Sequence, residues 1–398
     1  MDVEVAIKTA RQKRSDIKNI DNSIYLDDGD DINKKSLNED AIKVKAIKEN
    51  DIDKPISKDN VTFNYKNTKY MLLKILFTIS GFVAAILVNI LFPQKADVEF
   101  KTYTLNLLNL KIGFNMNSAY IVVLIALILI YGISGIISLF QKDRRKLYAK
   151  NAAFKFFLGI ALAIWDIGGT KLQIFAQPFF PGPAQIIEAY IADGSYIVQN
   201  TLYSIRLYAA GFSCGVLLGV GTGILIGWFP KVYYWVFPVL KITGVVPAVA
   251  WMPFALTLLP TSFSAAVFLI VICAWFQIAF LTAQGIQSTP KQSYEAARVL
   301  GGGQINQIIH VAIPHAMPDI FTGIGSANAM AFTTLVMSEM LGQPGGLGYY
   351  INQSKVWSAY YKVLAAIVIM AVLFSFINFL IGLIRKRVLR WQQGVVKV

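Results

Sequence analysis

Eight runs of about 20 apolar residues constrain this chain more than any other feature of its sequence. Because each helical residue advances the chain by about 1.5 Å, a run of this length crosses the hydrocarbon core of a bilayer as one helix. The sequence predicts spans near 71–92, 118–140, 154–176, 201–228, 233–259, 262–286, 319–341 and 362–384. The predicted fold class is therefore all-α, a polytopic transmembrane helical bundle with about eight spans.

Two of these spans are less regular than the others. Asp166 and Lys171 interrupt the third run with charges. The fifth run contains Pro238, Pro247 and Pro253, and a proline inside a helix removes a hydrogen bond and bends the axis. We therefore expect the fifth span to be bent.

The composition agrees with a membrane protein, since 55% of the 398 residues are hydrophobic and only 15% are charged. The formal net charge of +14 could suggest a nucleic-acid partner. However, the basic residues beyond the N-terminal region lie mainly between apolar runs, which is the distribution that orients a membrane protein. We therefore expect lipid, and no nucleic acid, among the partners.

Basic clusters follow the second and the last run, and such clusters stay in the cytoplasm. They comprise Lys142, Arg144, Arg145, Lys146 and Lys150, and Arg385, Lys386, Arg387 and Arg390. The expected location is the bacterial cytoplasmic membrane, with both termini in the cytoplasm. Alternation then places 287–318 in the cytoplasm, and 177–200 and 342–361 outside.

The sequence divides into four parts. Residues 1–70 interleave charges with few aromatics, which is typical of a disordered cytoplasmic extension. Residues 71–150 contain two extra transmembrane helices and a basic cytoplasmic loop. The membrane core covers 151–392, and 393–398 form a cytoplasmic tail.

The cytoplasmic segment 288–318 begins with signals for a short helix. Thr289 can cap this helix, Pro290 suits its first turn and Gln292 completes a capping box. Three glycines at 301–303 then break the helix.

A second short helix is expected from Gln304 to Val311, ending at Pro314 and Pro318. Two short helices joined by a glycine corner would make a compact knob on the cytoplasmic face.

This segment resembles the coupling loop of importer permeases of the ATP-binding-cassette (ABC) class. Those proteins carry Glu-Ala-Ala, three residues, Gly, nine residues and then Ile-x-Leu-Pro. The corresponding residues here are Glu295, Ala296, Ala297, Gly301 and Pro314, and the last four positions read Val-Ala-Ile-Pro. The resemblance implies a type I ABC importer permease fold, with segment 288–318 entering a groove on an ATPase. Glu295 is expected to orient the loop by bonding to backbone or to a basic neighbour.

The resemblance also implies the partners. They are a second copy of the permease, two ATP-binding-cassette ATPase subunits and an extracytoplasmic solute-binding protein. The sequence contains no Gly-x-x-x-x-Gly-Lys-Ser/Thr phosphate loop, so ATP and Mg are expected on the ATPase. We expect that this chain is not itself an enzyme and that it has no cofactor, catalytic residue or metal site of its own.

Further motifs resemble the nitrate, sulfonate, taurine and bicarbonate branch of these permeases, which implies a small anion or organic acid as solute. They are Phe180-Pro181-Gly182-Pro183, Ser204-Ile205-Arg206 with Gly211-Phe212, the stretch from Pro247 to Pro253, and Ser338-Glu339-Met340-Leu341-Gly342 with Gly346-Leu347-Gly348. One departure is Leu258-Leu259-Pro260-Thr261-Ser262, where the family usually has a Trp-Phe-Gly-x-Gly segment. This departure leaves the extracellular gate and the substrate range open.

Polar residues within apolar spans are the candidates for lining a pathway, because an unpaired polar group facing lipid costs several kcal/mol. The candidates are Arg206, Gln277, Asn328, Thr333, Thr334, Ser338 and Glu339. Hydrogen bonding between helices is the alternative for each. Glu339 would repel an anion and fits a structural network better, whereas Arg206 could extend to water at the outer end of its span.

Two other functions remain open from the sequence. Permeases for thiamine-precursor pyrimidines and other small aromatics look similar at the same positions. A secondary transporter driven by an ion gradient would need paired intramembrane carboxylates and repeated halves, neither of which the sequence shows. The sequence does not identify the solute.

Overall fold

The computed structural model describes residues 68–93, 102–107, 110–174 and 178–391. The predicted extension over 1–70 and tail over 393–398 therefore lie outside the described residues, except for the first residues of α1. The described helices are α1 (Thr68–Leu91), α2 (Met116–Phe140), α3 (Lys142–Asp166), α4 (Pro183–Ala192), α5 (Gly194–Trp228), α6 (Pro230–Val245), α7 (Met252–Leu258), α8 (Ser262–Gln287), α9 (Lys291–Val299), α10 (Gln304–Gln307), α11 (Ile313–Gly342), α12 (Leu347–Val356) and α13 (Tyr360–Val388).

The predicted spans are confirmed. Seven helices of the described chain are long and apolar enough to cross a bilayer, and a bent pair makes an eighth possible. The all-α class is confirmed with one small addition, a hairpin of β1 (Thr102–Leu107) and β2 (Leu110–Asn115) between α1 and α2. The alternating sequence Thr-Tyr-Thr-Leu-Asn-Leu of β1 is the signal for this hairpin, since a period of two is typical of a strand.

Helices α1, α2 and α3 pack together as a three-helix unit. Glycines let α1 and α3 approach closely, because a side chain on Gly81 would begin 2.5 Å from the Phe156 carbonyl oxygen and one on Gly159 would begin 2.4 Å from the Gly81 carbonyl carbon. Where the C-terminal ends of α1 and α3 meet the start of α2, the Asn89 amide donates to Asp166 Oδ2 at 2.7 Å and to Asn117 Oδ1 at 2.9 Å. A buried carboxylate needs such partners, which explains why Asp166 is tolerated within the third span.

Helices α5 and α8 form the centre of the remaining bundle and pack along a stripe of glycines. Gly211 faces Ile270, Gly219 faces Ile278 and Gly227 faces Ile286. The partner on α8 advances with the glycine on α5, so the two helices are parallel. Small residues at four-residue spacing let helix backbones approach closely in a membrane, where dispersion contacts replace the hydrophobic effect.

The parallel arrangement decides the number of crossings. Since α5 and α8 run in the same direction, the chain between Trp228 and Ser262 must return across the bilayer. This return is made by α6, a 3₁₀ turn over Ala248–Trp251 and α7, with a bend of 99° between the two arms. The expected bend in the fifth span is confirmed, and it falls next to Pro247. With the bent pair counted as one span, the described chain has eight candidate crossings.

Helix α11 belongs to a longer rod. Helix α10 continues through a π-helical turn, Ile308–Ala312, into α11, so the chain is helical from Gln304 to Gly342 over 39 residues. The prediction that a short helix ends at Pro314 and Pro318 is wrong. The π turn bonds the Ile313 N–H to the Ile308 carbonyl, and this wider spacing accommodates Pro314, which has no N–H, in the first turn of α11.

Two clusters hold the bundle together. The main core lies between α5, α8 and α11 and contains Leu207, Tyr208, Ile270, Ala274, Ala327 and Leu335. A second core lies under α12, between α5 and α13. Helix α4 connects the three-helix unit to this bundle, because Ile186 and Ala189 pack on Ala365 of α13.

Candidate functional site

The loop between α8 and α10 projects from the bundle as a short helix with a glycine corner. No residue of α9 is buried. Its attachment is Tyr294, whose ring packs edge-on against Trp228 with centroids 5.3 Å apart and whose hydroxyl donates to the Ile286 carbonyl at 3.4 Å. A single aromatic side chain thus fixes α9 to the ends of α5 and α8.

The start of α9 differs from the prediction. Pro290 is the residue before the first turn and no side chain caps the helix. The Thr289 hydroxyl instead donates back to the Gly285 carbonyl at 3.4 Å. Thr289 is buried against the end of α8, and this position prevents it from reaching the N–H groups of α9.

The corner after α9 requires a glycine. Gly301 has φ of +78°, a left-handed conformation that residues with a side chain adopt at a cost. The Gly302 N–H donates to the Ala297 carbonyl at 2.9 Å, and the Gln307 amide donates to the Gly302 carbonyl at 2.9 Å. These bonds close the last turn of α9 and fix α10 against it, so α9 and the 39-residue rod are rigidly joined.

The predicted coupling residues are placed in two groups. Glu295, Ala296, Ala297 and Gly301 lie together on α9 and its corner, with Glu295 and Ala296 exposed and Ala297 half-buried. Within the described chain, the Glu295 carboxylate has no ion-pair or hydrogen-bond partner, so the expectation that it orients the loop is not met there. Pro314 lies apart from them, half-buried in the first turn of α11.

Three residues of this loop were missed from the sequence. Val299 and Leu300 are each 88% exposed and Ile305 is 73% exposed, on the two sides of the glycine corner. We call them the apolar ridge. The signal for them was present, because large apolar residues flanking a glycine turn in a loop outside the bilayer have no lipid to contact.

The predicted pathway residues divide into structural and accessible groups. Asn328 is buried, accepts from the Tyr208 hydroxyl and donates to Asn378 Oδ1 at 2.9 Å. Thr334 and Ser338 are buried and donate to carbonyls of their own helix. Asn328 therefore has the hydrogen bonds between helices that were the alternative to a pathway role, whereas these bonds of the Thr334 and Ser338 hydroxyls stay within α11.

Arg206, Gln277 and Thr333 are more accessible. Gln277 is half-buried, and Thr333 is exposed while its hydroxyl donates to the Ala329 carbonyl at 3.1 Å. Arg206 is exposed on α5, with its guanidinium 5.4 Å from the centre of the Phe263 ring. Among the described residues it has no carboxylate partner.

Glu339 lies near the C-terminal end of α11 against the N-terminus of α12. Three successive N–H groups at the start of α12, including that of its N-cap Gly346, donate to side chains from other helices. The Gly346 N–H donates to Asn200 Oδ1 at 2.9 Å, the Leu347 N–H to Ser204 Oγ at 2.8 Å and the Gly348 N–H to Glu339 Oε2 at 2.8 Å. A carboxylate at a helix N-terminus is stabilised by the helix dipole, so Glu339 belongs to a structural network.

The glycines of this motif make room for the carboxylate. Gly346 has φ of +109°. A side chain on Gly348 would begin 2.5 Å from the Val336 carbonyl oxygen and 2.7 Å from Glu339 Cβ. The sequence Gly-Leu-Gly is therefore the one that lets α12 begin directly beside α11.

The first turn of α12 is also tied to the starts of α5 and α13. The Tyr350 hydroxyl donates to Asp193 Oδ2 at 2.9 Å, and Lys362 Nζ lies 2.6 Å from the same oxygen. Burial and the nearby Asp193 carboxylate raise the pKa of Tyr350, so Tyr350 remains a donor at neutral pH.

A bundle of eight crossings, with a rigid rod from an exposed loop on one face to a capped helix on the other, has the architecture of a membrane transport subunit. The family of binding-protein-dependent transport system inner membrane components matches residues 215–390. This match includes α9, the rod and α12, and it begins within α5, so α1–α4 lie outside it.

Curated relatives agree. The putative aliphatic sulfonates transport permease of Bacillus subtilis (strain 168) is 29% identical over 238 residues, which cover 59% of this chain and 86% of that protein. The nitrate import permease of Leptolyngbya laminosa is 31% identical, covering 48% of this chain and 68% of that protein. The bicarbonate transport system permease of Synechococcus elongatus (strain ATCC 33912 / PCC 7942 / FACHB-805) is 29% identical, covering 49% of this chain and 67% of that protein.

The chain belongs to this family of ABC importer permeases, of the nitrate, sulfonate and bicarbonate type. It is a multi-pass membrane protein of a family that works with an ATPase and a binding protein. The resemblance drawn from the coupling loop and the Gly-Leu-Gly motif is thereby confirmed.

Proposed function

We propose that two copies of this chain enclose a pathway for a small anion or organic acid and couple its import to ATP hydrolysis by two separate ATPase subunits. An extracytoplasmic binding protein delivers the solute. The observation that carries the proposal is the rigid connection between α9, its glycine corner and the rod that crosses the bilayer. A displacement of α9 by the ATPase is thereby transmitted to the outer end of α11.

We propose an orientation with both termini in the cytoplasm. With eight crossings, the junction of α2 and α3, the loop carrying α9 and the end of α13 fall on one face. The first and last of these carry Arg144–Lys146 and Arg385–Arg387, and basic clusters remain cytoplasmic. The ATPases, which need cytoplasmic ATP, are therefore on the same face as the apolar ridge.

The apolar ridge supports docking of a protein at this face. Val299, Leu300 and Ile305 expose large apolar side chains in water, which is favourable only when a partner covers them. The small side chains of Ala296 and Ala297 allow the partner to approach the helix closely. We propose that Glu295, Ala296, Ala297 and Gly301 present the ridge to the ATPase, and that Pro314 shapes the start of the rod. ATP and Mg are bound by the ATPase.

Arg206 supports an anionic solute. An exposed guanidinium held beside an aromatic ring, without a carboxylate partner in the described chain, attracts oxyanions and can bind them with two parallel hydrogen bonds. Glu339 does not oppose this, because its carboxylate is buried and engaged with α12. We propose Arg206, Gln277 and Thr333 as the pathway residues.

The proposal is tested with the complete complex reconstituted in lipid. We expect ATP hydrolysis to rise with nitrate, taurine or bicarbonate in the presence of the binding protein, and to be unaffected by a sodium gradient. If a pyrimidine stimulates ATP hydrolysis and the anions do not, the transported solute is a small aromatic molecule and not an anion. Solute uptake without ATP, driven by an ion gradient, would contradict the importer assignment.

Docking is tested separately with the double variant Val299→Ser, Leu300→Ser. Both side chains are almost fully exposed, so the variant should insert normally but retain less than a tenth of the copurifying ATPase. The matched control is Gln292→Ser, an exposed residue at the start of α9. Normal copurification with the double variant would exclude the ridge as the docking surface.

A further inference from the structure

Glu339 lies where one rigid rod meets a second helix. The rod begins beside Ile305 of the apolar ridge and ends at Gly342, and at about 1.5 Å per residue it spans nearly 60 Å. Glu339 is one turn from its outer end. A displacement of the rod by the ATPase would therefore act on the segment that carries Glu339.

Helix α12 is a bridge rather than part of the rod. Its first N–H groups are bound by α5 through Asn200 and Ser204 and by α11 through Glu339. Its Tyr350 contacts Asp193, which also pairs with Lys362 of α13. Movement of α12 thus pulls on the outer ends of α5 and α13.

The bond from Glu339 reaches a different helix from the other two. Asn200 and Ser204 tie the start of α12 to α5, whereas Glu339 ties it to α11. Gly348 also packs so closely on α11 that a side chain there would begin 2.5 Å from the Val336 carbonyl oxygen and 2.7 Å from Glu339 Cβ. The junction between α11 and α12 thus combines a side-chain hydrogen bond with close backbone packing.

We propose that Glu339 is a positioning residue that makes α12 move with α11, so that ATP-driven motion of the rod reaches the outer ends of α5 and α13. Glu339 contacts no solute in this role. The inference rests on the proposed coupling function, and it assigns to Glu339 the transmission step at the outer face.

The test compares the motion of two spin labels in the complete complex, with Cys214 and Cys273 replaced by Ala. One label is at Leu341→Cys on α11 and the other is at Val356→Cys on α12, and both positions are exposed. Distances between the two copies are measured by double electron–electron resonance with and without ATP. With Glu339 present, we expect both label pairs to change distance.

In Glu339→Ala, the pair on α11 should still change distance, whereas the pair on α12 should lose its change and uptake should fall at least tenfold. Glu339→Gln keeps the side-chain shape and one acceptor oxygen, so it should retain part of the distance change at α12. It also serves as a control for misfolding caused by Glu339→Ala. The matched control Asn200→Ala removes a bond between α5 and the start of α12 and should leave both changes intact.

The outcomes separate the two proposals. If the α12 pair still follows the α11 pair in Glu339→Ala, the transmission role is wrong while coupling stands. If Asn200→Ala abolishes the α12 change as fully as Glu339→Ala, the transmission role belongs to the whole set of bonds at the start of α12 and not to Glu339. If neither pair responds to ATP in the presence of Glu339, the coupling function itself fails.

Discussion

At the residue scale, one position of the exposed loop requires glycine because of its backbone conformation and not because of the side chains around it. Gly301 has φ of +78°, and a side chain there would meet no atom within 4 Å. The need for glycine is therefore conformational and not steric. Any other residue costs about 1–2 kcal/mol in the left-handed region, and a β-branched residue costs more.

We predict that Gly301→Val opens the corner between α9 and the rod and lowers uptake at least tenfold, while membrane insertion is normal because the loop lies outside the bilayer. The matched control is Gly303→Val, since Gly303 has φ of −69° and also has open space around it. Uptake and ATPase copurification are measured in the same membranes. Equal uptake by the two variants would show that the corner is not part of coupling.

At the element scale, the stripe of glycines on α5 sets the distance to α8. A side chain on Gly219 would begin 2.7 Å from Ile278 Cβ, an atom held by its own helix, so the two helices would have to separate. On the same helix, Gly221 has no neighbour within 4 Å. Substitutions at Gly219 and Gly221 therefore distinguish the effect of close helix packing from that of intrinsic helix propensity.

We predict that Gly219→Ala destabilises the protein by about 1–3 kcal/mol, the usual cost of overpacking. Gly221→Ala should be neutral or slightly stabilising, because alanine favours a helix over glycine by roughly 1 kcal/mol. The measurement is the thermal unfolding midpoint in detergent. The packing explanation fails if both variants unfold at the same temperature.

At the scale of the whole molecule, the parallel packing of α5 and α8 requires the bent pair α6 and α7 to cross the bilayer. A re-entrant loop would leave Pro260 on the cytoplasmic face, whereas a crossing places it outside. The two topologies differ in the position of every later loop, and the eight-crossing form alone keeps the two basic clusters on one face.

We predict that Pro260→Cys, in the background lacking Cys214 and Cys273, is labelled by a membrane-impermeant maleimide added to intact cells. Lys146→Cys should be labelled only after the cells are opened, and Val356→Cys should be labelled from outside. Protection of both Pro260→Cys and Val356→Cys in intact cells, with both labelled once the cells are opened, would mean that α6 and α7 form a re-entrant loop.

The number of spans, their order and the family followed from the sequence alone, because an apolar run of about 20 residues has few alternatives to a membrane helix. The short exposed helix with a glycine corner also followed, since Glu295, Ala296, Ala297 and Gly301 lie close together in the chain; its coupling role remains a prediction. The predicted N-cap at Thr289 and the predicted helix end at Pro314 were wrong, because packing against α8 and a π turn overrode local signals.

Only the tertiary structure decided what joins distant segments. It placed Glu339 beside Gly348 and Ser204, aligned the glycines of α5 with α8, and exposed Val299 and Leu300 on the ridge. The physical reason is that a local pattern reports which residues prefer lipid, water or a turn. Hydrogen-bond partners across helices depend instead on how whole helices pack, and that packing is set by many contacts at once.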